Sequence, residues 1–242
     1  MVHLLDLSYK KRKTHLQLVF FLINFTYIWA LIIYPHLPIL KMKKLIFTLF
    51  LISATAFAQD MNVVKGNFDF LKDQKEINTI FDYSNFTMMK EKKSEAQYIQ
   101  EHKADLDQKA KGNGNLWEKR WVVAKEQIWT PKFLEIGNIV LSKAGKDVNF
   151  QEGLNTPYTL IVQTLWIYPG WDAGIMKQPA KVTTNLKFVE TANKSNVLLE
   201  ITSEDAPGDQ WGNNFNNETR IGEGYAKTAK SLSKLLLKKA FK

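Results

Sequence analysis

An α+β fold is expected of residues 59–242: a mainly antiparallel sheet of four to five strands with helices packed on one face. Three observations predict it. Segments with a two-residue hydrophobic period occupy 76–88 and cluster again between 158 and 203. Segments with the 3.6-residue period of a helix fill 90–144 and 218–241. Strands and helices do not alternate one for one, as a doubly wound parallel sheet would need.

The elements follow in order. Residues 63–70 open the ordered part as a short strand or lead-in. In 76–88 (EINTIFDYSNFTM), Ile77, Thr79, Phe81 and Tyr83 fall on one face of a strand and Asn78, Ile80, Asp82 and Ser84 on the other. Residues 90–111 are highly charged and lack Gly and Pro. Ser94, with Gln97 three residues on, is a capping-box start, and Tyr98, Leu106 and Ala110 give a thin apolar stripe. Gly112-Asn113-Gly114 ends that helix. A second helix is expected over 116–128, and Thr130-Pro131 starts a third. The third buries Phe133, Ile136, Gly137, Val140, Leu141 and Ala144, and Gly145 stops it.

The period then changes. YTLIVQTLWIY (158–168) is apolar on both faces and reads as a central strand. AKVTTNLKFVE (180–190) alternates, with Val182, Thr184, Leu186 and Phe188 inward and Lys181, Thr183, Asn185 and Lys187 outward. Asn193-Lys194-Ser195 turns the chain into a return strand over 196–203. A Gly/Asn/Asp loop is expected over 206–217. The last helix, 218–241, lines Ile221, Tyr225, Ala229, Leu232, Leu236 and Ala240 on one side, and Lys227, Lys230, Lys234 and Lys238 on the other. Lys238 and Lys239 also suit the negative end of its dipole. That lysine face reads most simply as solvated, with anionic lipid or glycan contact as the minority reading.

Ahead of this body lies MKKLIFTLFLISATAFAQ (42–59). A basic start, a short apolar run and the A-x-A site Ala56-Phe57-Ala58 before Gln59 are the layout of a secretory signal peptide. The domain organisation expected is therefore 1–41 as an upstream extension, 42–58 as the leader and 59–242 as one α+β domain. Residues 16–34 are apolar, follow Lys10, Lys11, Arg12 and Lys13, and are about long enough to span a bilayer. Two readings compete, and the first is favoured because the 42–59 segment is complete by itself. Either translation starts at Met42, or Met1 is the start and 16–34 anchors the protein in the inner membrane.

The whole chain carries 33 Lys+Arg against 24 Asp+Glu. Seven of those basic residues and one acid precede residue 59, which leaves 26 basic against 23 acidic in the body. The basicity is thus mainly a targeting feature, and no nucleic-acid partner is expected. The absence of cysteine removes disulfides, thiolate chemistry and a lipid-accepting cysteine. The mature form is expected not to span a membrane.

Catalytic motifs are missing. The body has one histidine, His102, read as solvent-facing. There is no HExxH, GxSxG or GxxxxGK[ST], and Asp82, Asp172, Asp205 and Asp209 carry no spacing signature. No cofactor and no metal are expected. Two aromatic-Gly loops stand out, WIYPGWD (166–172) and APGDQWG (206–212). If the strands meander, both leave the sheet at one end. Tyr168, Trp171 and Trp211 would then stack on a sugar, a peptide or a protein, with Asp172, Asp209 and Gln210 adding hydrogen bonds. The competing reading makes Trp171 and Trp211 plugs of the core. Trp117 and Trp121 share a helix face, and core packing is expected of them and of Trp129.

The stretch YTLIVQTLWIYPGWDAGIMKQPAKVTTNLKFVETANKSNVLLEITSEDAPG, the closing RIGEGYAKTAKSLSKLLLKK and the earlier SEAQYIQEHKADL resemble uncharacterised exported proteins of Bacteroidota. More distantly, the strand–hairpin–helix end looks like domains of bacterial envelope lipoproteins, from which the chain departs in lacking cysteine. The resemblance implies Gram-negative export to the periplasm or outer envelope, and brings no catalytic residues.

Three functions compete. The first is a non-enzymatic envelope protein that binds a protein or glycan through the aromatic loops. The second is a hydrolase of envelope polymers using Asp172 with Asp209, which would need the carboxyls about 5 to 10 Å apart. The third is a membrane-anchored protein held by 16–34.

Overall fold

In the computed structural model the described residues are 59–173, 176–208 and 216–242. The leader, with Ala56 and Ala58, and the apolar stretch 16–34 lie outside them. Gln59 lies inside: its side chain accepts from Ser231 Oγ at 2.6 Å and donates to Ser203 Oγ.

Among the described residues there are ten strands and four α-helices. The strands are β1 (Asp60–Gly66), β2 (Glu76–Asp82), β3 (Thr87–Met88), β4 (Lys93–Ser94), β5 (Asn149–Gln151), β6 (Tyr158–Tyr168), β7 (Trp171–Asp172), β8 (Lys177–Gln178), β9 (Ala180–Glu190) and β10 (Val197–Gly208). The helices are α1 (Glu95–Lys109), α2 (Asn113–Ala124), α3 (Thr130–Lys143) and α4 (Asn217–Lys239).

The α+β class holds, but the sheet is larger and more mixed than expected. Eight strands join it in the order β1-β10-β9-β6-β2-β5, with β3 beside β6 and β4 beside β3. The pairs β1–β10, β10–β9, β6–β9 and β3–β4 are antiparallel. The pairs β2–β6, β2–β5 and β3–β6 are parallel. The cause is connection length. Three helices separate β2 from β6, ample chain for the crossover that a parallel pair requires. Strand periodicity carries no information about pairing direction.

β6 is central, between β9 and β2, as its two apolar faces predict. On β9 the inward set Val182, Thr184, Leu186 and Phe188 is fully buried. α4 covers this face. Its Ile221, Tyr225, Leu232 and Leu236 are fully buried, and it ties to the sheet through Tyr225 Oη with Thr164 Oγ1 at 2.6 Å. The opposite sheet face is a polar lattice. Lys181 meets Asp205 at 2.8 Å, Asn185 donates to Glu200 at 2.7 Å, Lys187 donates to Gln163 at 3.0 Å, and Gln163 donates to Asp82 at 3.2 Å.

α1 begins as expected: Ser94 and Gln97 form a full capping box. Tyr98 is buried and Leu106 packs on the core, but Ala110 caps the helix and is exposed. α2 starts three residues earlier than expected and runs without a break through a π-helical turn, Lys125–Trp129, into α3. Pro131 explains the π turn. Its ring cannot donate and crowds the carbonyl four residues back, and a wider turn relieves both. On α3, Phe133, Gly137 and Leu141 are buried, whereas Ala144 lies exposed past the end. The expected loop at 206 starts later, because β10 runs on to Gly208 beyond a bulge at Asp205. Among the described residues, no helix is long and apolar enough to cross a membrane.

Candidate functional site

Tyr168 and Pro207 both stand in register with Lys181 of β9, so β6 and β10 end level with each other on either side of β9. This is the sheet end at which the two aromatic loops were expected to meet. The first loop is described. Of the second, Asp209, Gln210 and Trp211 lie outside the described residues, so the Asp172–Asp209 pair has no measured separation.

After Tyr168 the chain turns at Gly170, with φ +67°. A Cβ there would sit 2.3 Å from the Gln178 carbonyl oxygen and 2.6 Å from the Ala180 nitrogen. Glycine alone fits, and the turn closes the small β7–β8 hairpin, in which Trp171 faces Gln178 and Asp172 faces Lys177. The Gln178 carbonyl Oε1 accepts from Tyr168 Oη at 2.8 Å and from Trp171 Nε1 at 3.1 Å. Both aromatic rings are thus fixed by one amide. Their exposures differ: Tyr168 keeps 9% of its surface and Trp171 keeps 42%. Trp171 does not plug the core.

The aromatic strip extends along β6. Trp166 stacks on Tyr168 with centroids 6.3 Å apart and planes 16° apart. Trp166 Nε1 donates to the Met89 carbonyl at 2.7 Å, and Lys92 Nζ lies 5.0 Å from its ring centre. Met89 (φ 61°) and Lys92 (φ 57°) both adopt left-handed backbone conformations that non-glycine residues seldom take. Such strain concentrates where the surrounding structure holds a functional geometry.

Beneath this rim sits a buried charge cluster at the start of α4. Asn216 caps the helix, accepting from Glu218 N at 2.9 Å and Thr219 N at 3.2 Å. Arg220 is 4% exposed. Its guanidinium donates to the Pro169 carbonyl at 3.2 Å, to the Gly170 carbonyl at 3.4 Å and to Asn217 Oδ1. Asn217 in turn donates to Tyr98 Oη at 3.2 Å. The helix start approaches β10 so closely that a Cβ on Gly208 would lie 1.9 Å from the Arg220 carbonyl oxygen. Glu218 is also buried, and its Oε1 is 3.7 Å from Arg120 Nε with no hydrogen-bond partner among the described residues. Burial pushes its carboxyl pKa up, against the lowering pull of Arg120 and Arg220.

Sequence reasoning singled out Tyr168, Trp171 and Asp172 but missed Gln178, Trp166, Arg220 and Glu218. One signal was available. Residues 59–242 contain two arginines, Arg120 and Arg220, among many lysines, and both converge on Glu218.

His102 is not simply solvent-facing. It is half-buried, stacked on Tyr98 at 5.5 Å and edge-on to Trp117 at 4.4 Å, and burial lowers its pKa. Nothing in this packing resembles a catalytic triad. Trp117, Trp121 and Trp129 are core residues, as expected. Among the described residues no group of three or more His, Asp or Glu side chains is placed to hold a metal ion.

No protein-family model and no curated protein matches the chain. Among solved structures, two crystal forms of the PelC dodecamer from Paraburkholderia phytofirmans are similar to it. The first, a point variant, is 11% identical and covers 76% of this chain and 100% of its own at a TM-score of 0.34. The second is 10% identical and covers 73% and 98% at a TM-score of 0.34. A likeness at that level carries no argument about function.

Proposed function

We propose that this protein is an exported, non-enzymatic domain of the cell envelope that captures a glycan or protein partner through the aromatic rim at the end of β6. The observation that carries this reading is the setting of Trp171. Its ring is half-exposed, yet its N–H is committed to Gln178, which Tyr168 also holds. An indole fixed in this way offers a large apolar face with little conformational entropy left to lose on binding. Asp172, beside it on the hairpin, supplies a carboxylate at the rim, and Asp209, Gln210 and Trp211 come next in sequence after β10.

The test is a crosslinking pull-down from the envelope fraction with the mature form, comparing wild type with the double variant Trp171→Ala, Trp211→Ala. Loss of the captured partner at an unchanged thermal midpoint supports the reading. Unchanged capture by a folded double variant removes it.

A further inference from the structure

The second feature points away from the rim, along α4. Lys227, Lys230, Lys234 and Lys238 follow one another at spacings of three, four and four residues, so they form a single ridge ~16 Å long. From Gly224 to Lys242 there are six lysines and no acid. None of the four ridge lysines forms an ion pair among the described residues. Elsewhere in the molecule Lys65, Lys75, Lys93, Lys103, Lys125, Lys132 and Lys181 are each paired with a carboxylate. Relief from α3 is slight. It holds one acid, Glu135, and its Lys132 already takes Glu223 of α4. Charge of one sign has been gathered on one line and left uncompensated.

We infer that this ridge is a binding surface for a linear acidic polymer, specifically an acidic polysaccharide carrying one anionic group per sugar. Three features favour this partner. The lysines run in single file, which suits a chain lying along the helix. A bilayer partner would call for apolar side chains to insert, but the apolar face of α4 is consumed by its own core, with Tyr225, Leu232 and Leu236 at 0% exposure. A single-stranded nucleic acid would call for aromatic or arginine planes among the bases, and the ridge has neither. Ammonium groups on flexible stems make point-charge contacts that tolerate variation in where each anion falls. The inference does not depend on the aromatic rim.

The experiment uses the full chain and measures binding to polygalacturonate, with neutral dextran as the blank, across a series of salt concentrations. Two variants are compared with wild type. One carries Lys227→Gln, Lys230→Gln, Lys234→Gln and Lys238→Gln. The other removes the same charge elsewhere, at the exposed Lys72, Lys109, Lys111 and Lys194. Circular dichroism checks that both fold. The expected result is polygalacturonate binding that weakens with salt, retained by the second variant and reduced at least tenfold in the first. The slope of log K against log salt should also fall by roughly 3 in the first variant, at about 0.7 per lost counterion contact. Equal loss in both variants would overturn the inference, since net charge rather than the ridge would then be responsible. Lysine-dependent capture on phosphatidylglycerol vesicles without polygalacturonate binding would overturn it in favour of a bilayer.

Discussion

At the scale of single residues, Glu218 and Gly170 make sharp predictions. The Glu218 carboxyl is buried, and burial raises its pKa above the ordinary 4.5 despite two arginines nearby. Above pH 4.5 the unfolded chain gives up this proton while the folded chain keeps it. The folded state then binds more protons, so stability falls as pH rises through that window and levels once the folded group ionises. Glu218→Gln removes the titration and leaves the Asn216 cap in place. In urea denaturation, the variant should gain on wild type from pH 4.5 upward and then hold a constant lead. A difference independent of pH would show that the carboxyl ionises normally. At Gly170 the backbone is left-handed and a Cβ has no room beside Gln178. Gly170→Ala should cost roughly 1 to 3 kcal/mol and release the hairpin. The Trp171 indole N–H resonance would then lose its protection from solvent exchange, while the core indoles of Trp121 and Trp129 keep theirs.

At the scale of elements, α1 isolates the value of a cap. Both arms of its capping box are made: Gln97 N donates to Ser94 Oγ at 3.2 Å, and Ser94 N donates to Gln97 Oε1 at 2.9 Å. The helix contributes one buried apolar residue, Tyr98, so packing offers little to compensate if the cap goes. Ser94→Ala should cost about 1 kcal/mol, read as a lower denaturation midpoint and as faster amide exchange across the first turn of α1. A change in α3 exchange without one in α1 would contradict this. The same elements show what the sequence made legible. β9 and α4 were readable because each holds its period for 11 residues or more, and β6 because its 11-residue run is apolar on both faces. β4, β7 and β8 are two residues long, too short for any period, and exist through their partners. The parallel placement of β2 was hidden because alternation says which face is buried and not which neighbour is paired. At the site, the PGW run announced an aromatic turn. Arg220 and Glu218 were masked because a mixed-charge first turn usually faces water, whereas here it packs against Gly208, Pro169 and Trp129.

At the scale of the whole molecule, one aromatic seam joins the helices to the sheet. It runs from Trp117 to Trp121 at 5.3 Å, to Trp129 at 5.3 Å, and to Tyr225 at 5.7 Å, where the Tyr225 hydroxyl reaches Thr164 of the central strand. Tyr83, just past β2, closes on both Trp129 (5.9 Å) and Tyr225 (6.0 Å). Trp129 is the hinge of this arrangement. It sits in the π turn between α2 and α3, is fully buried, and donates its N–H to the Glu218 carbonyl at the start of α4 at 2.9 Å. Its removal would open a cavity bordered by three helical segments and orphan a carbonyl at a helix start. Trp129→Ala should therefore cost about 3 to 5 kcal/mol and lower the midpoint for the sheet and the helices together. Trp171→Ala removes the same side chain from a half-exposed hairpin, and stability should stay within about 0.5 kcal/mol. Paired denaturation curves, followed by far-ultraviolet circular dichroism and by tryptophan fluorescence, separate the two roles. If Trp171→Ala proved the more damaging change, the rim would belong to the core, and a surface kept free for a partner would have to be sought elsewhere on the fold.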